Sequence, residues 1–457
     1  MTTRISSTLF REYDIRGVVD RDMTDEAVHL VGKALGTMVR KAGGSKVVVG
    51  RDCRLSGGRF AEMMITGLNA TGVDVVDVGV VPTPLTYFAA CTLDVDGLCM
   101  ITGSHNPAEY NGLKVGVGKT TLHGAGIQEL RRMVDSEKFI HGKGTTRVHD
   151  IVTPYKEYVR QNLSFGPRKL KVVVDAGNGT GGVVAVPIFK ALGIEVVPLF
   201  VEMDGRFPNH HPDPTVEENL EQLKKKVLEV KADVGIAYDG DADRVGAVDE
   251  RGGVLWGDQL MILFSRALLE ENPGAAIVGE VKCSMNLYDD IAKKGGRPIM
   301  WKAGHSLIKA KMKEEGALLA GEMSGHIFFA HRWFGFDDGI YSSARLLELL
   351  SRTDAPLSSL LSDVPKTFAS PEIRFDCPED KKFEIVRRAQ EWFAARYEAV
   401  TVDGVRVTFP DGWGLVRASN TQPLLVLRFE ATSERRLEEI ARLVTGKVEE
   451  LKKELGA

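Results

Sequence analysis

The sequence predicts a multidomain α/β protein: three α/β units with mixed, mainly parallel sheets, then a C-terminal α+β unit, arranged around a central cleft. Three observations carry this. The chain has 457 residues, well past the ~250–300 at which one hydrophobic core usually divides. Three apolar, β-branched runs each lead into a turn of small or polar residues and then a helical pattern. After about Thr367 that rhythm gives way to strands, tight turns and a long amphipathic helix.

The three runs are KVVVGRDCRLSG (residues 46–57), LKVVVDAGNGTGG (170–182) and AAIVGEVKCS (275–284). Near-continuous β-branched strands alternating with helices belong in parallel sheets covered on both faces. Their roughly even spacing suggests three comparable units. Beyond them, FASPEIRFDCPED, YEAVTVDGVRVTFPDGWGLVRAS and LLVLRFEAT read as strands, with VDGV and FPDGWG as turns between them. The closing SERRLEEIARLVTGKVEELKKELG has helical spacing with charges on its outer face. The expected domains are 1–152, 153–253, 254–366 and 367–457, with short linkers near 152–156, 251–254 and 362–370.

Composition narrows the function. Acidic and basic residues nearly balance, for a formal net charge of -4, which argues against general nucleic-acid binding. The five cysteines, Cys53, Cys91, Cys99, Cys283 and Cys377, include no CxxC pair and fit reduced thiols. The start, MTTRISSTLFREYDIRG, has no apolar signal-peptide core. No run approaches the ~20 apolar residues of a membrane span. The expectation is a soluble, cytoplasmic protein that binds neither nucleic acid nor membrane.

Four loops carry chemistry. In MITGSHNPAEYNGLKV (residues 100–115), Ser104 and His105 are adjacent. Neighbours in an extended segment point to opposite sides, so His105 is poorly placed to take a proton from Ser104. Lys114 could fold back towards the serine, and an ordinary strand-end turn is the competing explanation. In YDGDADR (238–244), Asp239, Asp241 and Asp243 alternate with small residues after an apolar run. Carboxylates spaced by two can converge on a hard cation such as Mg²⁺. An EF-hand is excluded, because its sixth position needs Gly and here is Arg244; a solvated acidic turn is not. In LLAGEMSGHIFF (318–329), Glu322 and Ser324 offer acceptors and a donor suited to sugar hydroxyls, while His326 alone reads as structural. In GLVRASNTQPLLVLRFEA (414–431), Arg417, Ser419, Asn420 and Thr421 crowd one turn. An Arg fork with hydroxyl and amide donors suits a phosphate dianion; a hydrogen-bonded β-turn would use the same residues.

Together the four loops fit one substrate, a phosphorylated sugar, with the metal beside Ser104, where it could offset charge on a transferring phosphoryl group. From FREYDIRG (residues 10–17) to RASNTQP the chain resembles the α-D-phosphohexomutases, with the four motifs in family order, one per domain. The resemblance implies that Ser104 carries a phosphoryl group and that Asp239, Asp241 and Asp243 hold Mg²⁺ together with it. It implies transfer between O1 and O6 of glucose and mannose phosphates through a hexose 1,6-bisphosphate, with glucose 1,6-bisphosphate as activator. Glu322 and Ser324 would hold O3 and O4, which stay central when the sugar turns end for end, so C2 would be read weakly. Arg417, Ser419, Asn420 and Thr421 would bind the phosphate that is not reacting. Arg16 and Arg244 match arginines near the phosphoserine; Tyr13, Lys282 and His326 match positions in the substrate cleft. Lys114 and His305 match candidates for general base and acid, and a lysine flanked by cations would have a lowered pKa.

Two departures are small. Ala242 stands where many family members have Gly, and would strain the loop if φ is positive there. Met323 favours hexose phosphates, since aminosugar mutases usually carry Gln. The rivals are a phosphoglucosamine mutase, a metal-dependent phosphatase, for which the fourth loop would be superfluous, and a silent sugar-phosphate-binding protein. A monomer is expected, with a dimer open, and hinge closure of the last domain.

Overall fold

The computed structural model describes residues 5–419 and 423–457. They group into two compact units, one drawn from Met1–Leu260 with Ser324–Leu360, the other Met261–Met323 with Leu361–Ala457.

The first unit holds two sheets. In one, Lys46–Arg51 runs parallel to Asp74–Val80 and to Gly97–Ile101. Tyr110–Val117 then pairs antiparallel with Gly97–Ile101, and Ile15–Val18 antiparallel with Tyr110–Val117. Val47, Val48 and Val49 are fully buried, as a β-branched run covered on both faces should be. The helix Asp25–Lys41 is capped by Thr24, whose side chain accepts the Ala27 N–H, with acids in its first turn and bases in its last. It buries Val28, Val31, Leu35 and Val39 along one face. Its neighbour Gly57–Asn69 comes so close that a Cβ on Gly67 would lie 2.4 Å from the His29 carbonyl.

In the other sheet, Val234–Tyr238 is parallel to Lys171–Asp175, which is parallel to Glu195–Leu199. On its far side Val234–Tyr238 pairs antiparallel with Val245–Asp249. The mixed, mainly parallel character expected of these domains is present. Two segments expected as linkers carry regular structure. Residues 152–156 open the helix Val152–Asn162, anchored by buried Tyr155 and Val159, and the segment 251–254 closes a hairpin between Val245–Asp249 and Val254–Leu255.

In the second unit, Ala276–Glu280 lies parallel to both Arg297–Trp301 and Leu319–Gly321. The C-terminal sheet is antiparallel: Gly412–Ala418 pairs with Val405–Phe409 and with Leu424–Ala431. The final helix, Glu434–Leu455, buries Ile440, Val444, Val448 and Leu451. A second helix, Lys382–Ala394, was not anticipated; it buries Ile385, Val386, Ala389 and Phe393. Among the described residues no helix is long and apolar enough to cross a membrane.

An aromatic cluster knits the first unit together, with Trp333 stacked on Tyr341 at 4.0 Å between centroids and Phe88 edge-on to Tyr155. Beneath it Asp338 caps the helix Gly339–Ser351, accepting the Tyr341 N–H at 2.8 Å and the Tyr155 hydroxyl at 2.9 Å. Burial pushes this carboxyl up to about 7. Its folded pKa thus lies above the ordinary ~3.9 of an unfolded Asp. Its contribution to stability is therefore fully present below pH ~4 and lost as pH rises through about 7. Asp338→Asn keeps the cap without the titration. Urea midpoints for wild type should fall relative to the variant between pH 4 and 7; parallel curves would refute this.

Candidate active site

The loop bearing Ser104 leaves the buried strand Gly97–Ile101. Irregular buried backbone must find hydrogen-bond partners, and here Arg54 supplies them. Its fully buried guanidinium donates to Pro107 O (2.6 Å), Tyr110 O (2.9 Å), Ser104 O (2.8 Å) and Asn106 O (2.5 Å). Its Nε reaches Asp52 at 3.2 Å, and Asp52 also accepts the Gly103 N–H. A Cβ at Gly103 would lie 2.4 Å from the guanidinium, so that position requires glycine. Neither Asp52 nor Arg54 was anticipated; the signal was the RDCR stretch closing the first β-branched run.

Ser104 itself has φ +49°, in the left-handed region that non-glycine residues seldom occupy. That conformation overturns the expectation for His105. The alternation rule applies to extended chain, and here the chain turns, bringing His105 Nδ1 to 3.2 Å from Ser104 Oγ. Burial, then the Arg244 and Arg16 charges, push His105 well below its ordinary pKa, so it is neutral.

The acidic loop follows the buried strand Val234–Tyr238. Asp239, Asp241 and Asp243 are each completely buried. Ala242 between them has φ +58°, the strained geometry for which glycine would be better suited. Asp239 accepts the Ser104 hydroxyl at 2.7 Å and the Arg244 N–H at 3.1 Å. Asp241 accepts Thr83 Oγ1 at 2.5 Å and Lys114 Nζ at 2.8 Å; Lys114 also bonds Asp243. Lys114 arrives because Tyr110–Val117 returns antiparallel to the serine strand, with Lys114 opposite Met100.

The expected lowering of Lys114 is corrected: its immediate neighbours are carboxylates. Burial alone would lower its pKa, but Asp241 and Asp243 outweigh that and hold it well above its ordinary value. Burial and the charges of Asp241 and Asp243 push Asp239 well above the usual carboxylate range. Burial opposes ionisation of Asp241, yet Lys114 holds it below that range. The cluster fits a divalent cation. One ligand atom from each of the three carboxylates lies within 4.8 Å of the others, and Asp241 Oδ1 and Asp243 Oδ1 are buried without hydrogen-bond partners among the described residues. All-oxygen donors of this kind select a hard ion.

Three more expected residues join this group. Arg244 Nε donates to His326 Nε2 at 3.0 Å, which leaves the ring proton of a neutral His326 on Nδ1. Nδ1 lies 3.1 Å from Asp337 and 3.5 Å from Asp243, so His326 belongs to the acidic site, and Asp337 is a further member the sequence did not reveal. Arg16 bonds Asp14 at 2.5 Å and Asn106 at 3.0 Å. Tyr13, half-buried, immediately precedes that Asp14, and Ser324 occupies the turn before His326.

In the second unit, Lys282 Nζ lies 3.4 Å from Glu372 and 3.6 Å from Glu280. Burial would lower its pKa, but these carboxylates raise it. Arg417 reaches Asp403 at 3.0 Å, and Asp403 also accepts the Ala303 N–H. Glu322 accepts the Gly304 N–H at 2.5 Å, at the start of the helix His305–Glu315. Glu322, His305 and Arg417 thus meet at the main chain of residues 303–305. Ser419 accepts Lys382 Nζ at its carbonyl, 2.6 Å away. Asn420 and Thr421 lie outside the described residues.

Four family profiles match in order: "Phosphoglucomutase/phosphomannomutase, alpha/beta/alpha domain I" over residues 7–141, domain II over 153–253, domain III over 256–368, and the C-terminal domain over 372–447. The chain belongs to the phosphoglucomutase/phosphomannomutase family. Its relatives in this family include the phosphomannomutase/phosphoglucomutase of Pseudomonas aeruginosa, 49% identical over 439 residues that cover 95% of this chain and 94% of that one. The phosphoglucomutase of Neisseria gonorrhoeae is 44% identical over 441 residues, 95% of each chain. The crystal structure of a phosphoglucomutase/phosphomannomutase family protein from Burkholderia thailandensis superposes with a TM-score of 0.93 at 44% identity, covering 98% of both chains.

Arg54→Lys keeps the charge but cannot serve four carbonyls at once. It should destabilise the first unit by roughly 3 kcal/mol, seen as a lower urea midpoint. A midpoint equal to wild type would show that the loop holds its shape without Arg54.

Proposed function

We propose that this protein interconverts the 1- and 6-phosphates of glucose and mannose through a phosphoserine and a hexose 1,6-bisphosphate. Membership of the family supports hexose phosphate mutation. The observation that carries the mechanism is Ser104, whose main-chain carbonyl is held by Arg54 and whose hydroxyl donates to Asp239 within a buried acidic cluster. Asp239, Asp241 and Asp243 would hold Mg²⁺ with the phosphorylated Ser104. When bound, the ion would offset charge on the phosphoryl group.

The chain's own groups do the rest. As the phosphoryl group leaves Ser104, the Oγ–P bond breaks, a sugar O–P bond forms, and the sugar hydroxyl gives up its proton. Lys114 and His305 are the candidates to handle that proton. In the arrangement described, Lys114 is the cation that holds Asp241 and Asp243 together. Arg16, Arg244 and His326 line the transfer site with Tyr13. Glu322 and Ser324 hold the central hydroxyls, Lys282 reads the sugar beside them, and Arg417, Ser419, Asn420 and Thr421 take the resting phosphate. The four-domain division, glucose 1,6-bisphosphate as activator, hinge closure, a monomeric state and a cytoplasmic location complete this reading.

Proton and phosphorus NMR would follow glucose, mannose and glucosamine 1-phosphates separately, with Mg²⁺ and trace glucose 1,6-bisphosphate. Conversion of the first two to 6-phosphates, with glucosamine much slower, is expected. Inorganic phosphate as the product would instead mean a phosphatase, and glucosamine turning over fastest an aminosugar mutase. Chelation should abolish turnover reversibly, and Asp241→Asn should lower kcat roughly a hundredfold or more. Undiminished activity in either experiment would remove the metal from the mechanism.

A further inference from the structure

The strand Ala276–Glu280 is buried along its whole length, and its last side chain is a carboxylate with 1% exposure. Glu280 Oε1 accepts the Met323 N–H at 3.0 Å and lies 3.6 Å from Lys282 Nζ. Oε2 has no hydrogen-bond partner among the described residues. A desolvated carboxylate with one peptide donor and a cation just out of bonding range is costly, and an apolar side chain would pack there at lower cost. Burial pushes its pKa up to about 7. Local rules broken in this way mark places where function constrains the residue.

What Glu280 touches identifies the constraint. Met323 is the peptide between Glu322 and Ser324, the pair assigned above to the sugar hydroxyls. Glu322 is itself tied to the Gly304 N–H, so two buried glutamates, each gripping a peptide N–H, set the path of the chain there. Lys282, two residues on from Glu280, is held between it and Glu372.

We infer that Glu280 is a positioning residue for sugar recognition: it fixes the Met323 peptide, and through it Glu322 and Ser324, while keeping Lys282 beside them. The inference rests on the hexose phosphate reading. Glu280 meets the Met323 peptide and Lys282, not Ser104 or the aspartates assigned to the metal. Its loss therefore acts on binding rather than on phosphoryl transfer.

Glu280→Gln keeps an oxygen acceptor for Met323, whereas Glu280→Ala removes it. Should the alanine form fail to fold, Glu280→Met fills similar space without an acceptor. Turnover of glucose 1-phosphate and calorimetric titration with it are measured side by side. The expected result is a KM and Kd raised roughly tenfold in the alanine or methionine form, with kcat within about threefold. The glutamine form should stay within about threefold of wild type in both. Unchanged KM and Kd without the acceptor overturn the inference, as does a fall in kcat at constant KM. Wild type that neither binds nor converts glucose 1-phosphate overturns the functional reading, and this inference with it.

Discussion

Asp239, Asp241 and Asp243 lie within one short loop, none of them touching water. Like charges a few ångströms apart, away from solvent, either take up protons or push the loop open unless something answers them. Here each is answered from elsewhere in the chain: Asp239 by Ser104, Asp241 by Thr83 and Lys114, Asp243 by Lys114. Thr83 begins the helix Thr83–Thr92, and Lys114 lies in the strand Tyr110–Val117. Relief of one charge cluster thus dictates where a helix start, a strand register and the Ser104 turn must be.

Arg54 solves the opposite problem. It is a buried cation whose partners are four carbonyl oxygens and one carboxylate. A guanidinium presents five donors in a fixed fork, so it can impose one shape on a loop that has no regular secondary structure. The left-handed backbone at Ser104 persists because its surroundings over-determine it. Buried residues on neighbouring segments thus set both the electrostatic surroundings and the backbone conformation of the serine.

Much of the fold was legible because β-branched runs report burial directly: Val47–Val49 and Val172–Val174 lie in strands as expected. The helix Lys382–Ala394 was missed although its apolar residues recur at helical spacing, because charged residues fill the rest of the segment. Val152–Asn162 was missed because only Tyr155 and Val159 are buried, too few to raise the periodicity above its polar surroundings. The chemical loops were legible as residue types, since three carboxylates alternating with small residues have few uses. Their partners were not. His105 was misjudged because a positive φ cannot be seen in sequence. Lys114 was misjudged because its neighbours come from residues far along the chain, and Arg54 and Asp337 act through contacts that no local pattern announces.

The hydrogen bonds from Val245 N to Gly325 O and from Gly339 N to Ala242 O have a consequence for synthesis. The acidic loop is braced by segments translated some 80 to 97 residues after it. On the ribosome, that loop must wait, its backbone only partly satisfied, while residues 261–323, which belong to the other unit, emerge first. A nascent chain halted before Gly339 would carry every acidic residue of the cluster without the backbone that holds Ala242 in its strained turn. Assembly of this centre is therefore a late event in the life of the polypeptide, although Ser104 and the aspartates of the acidic loop all lie in the first 243 residues.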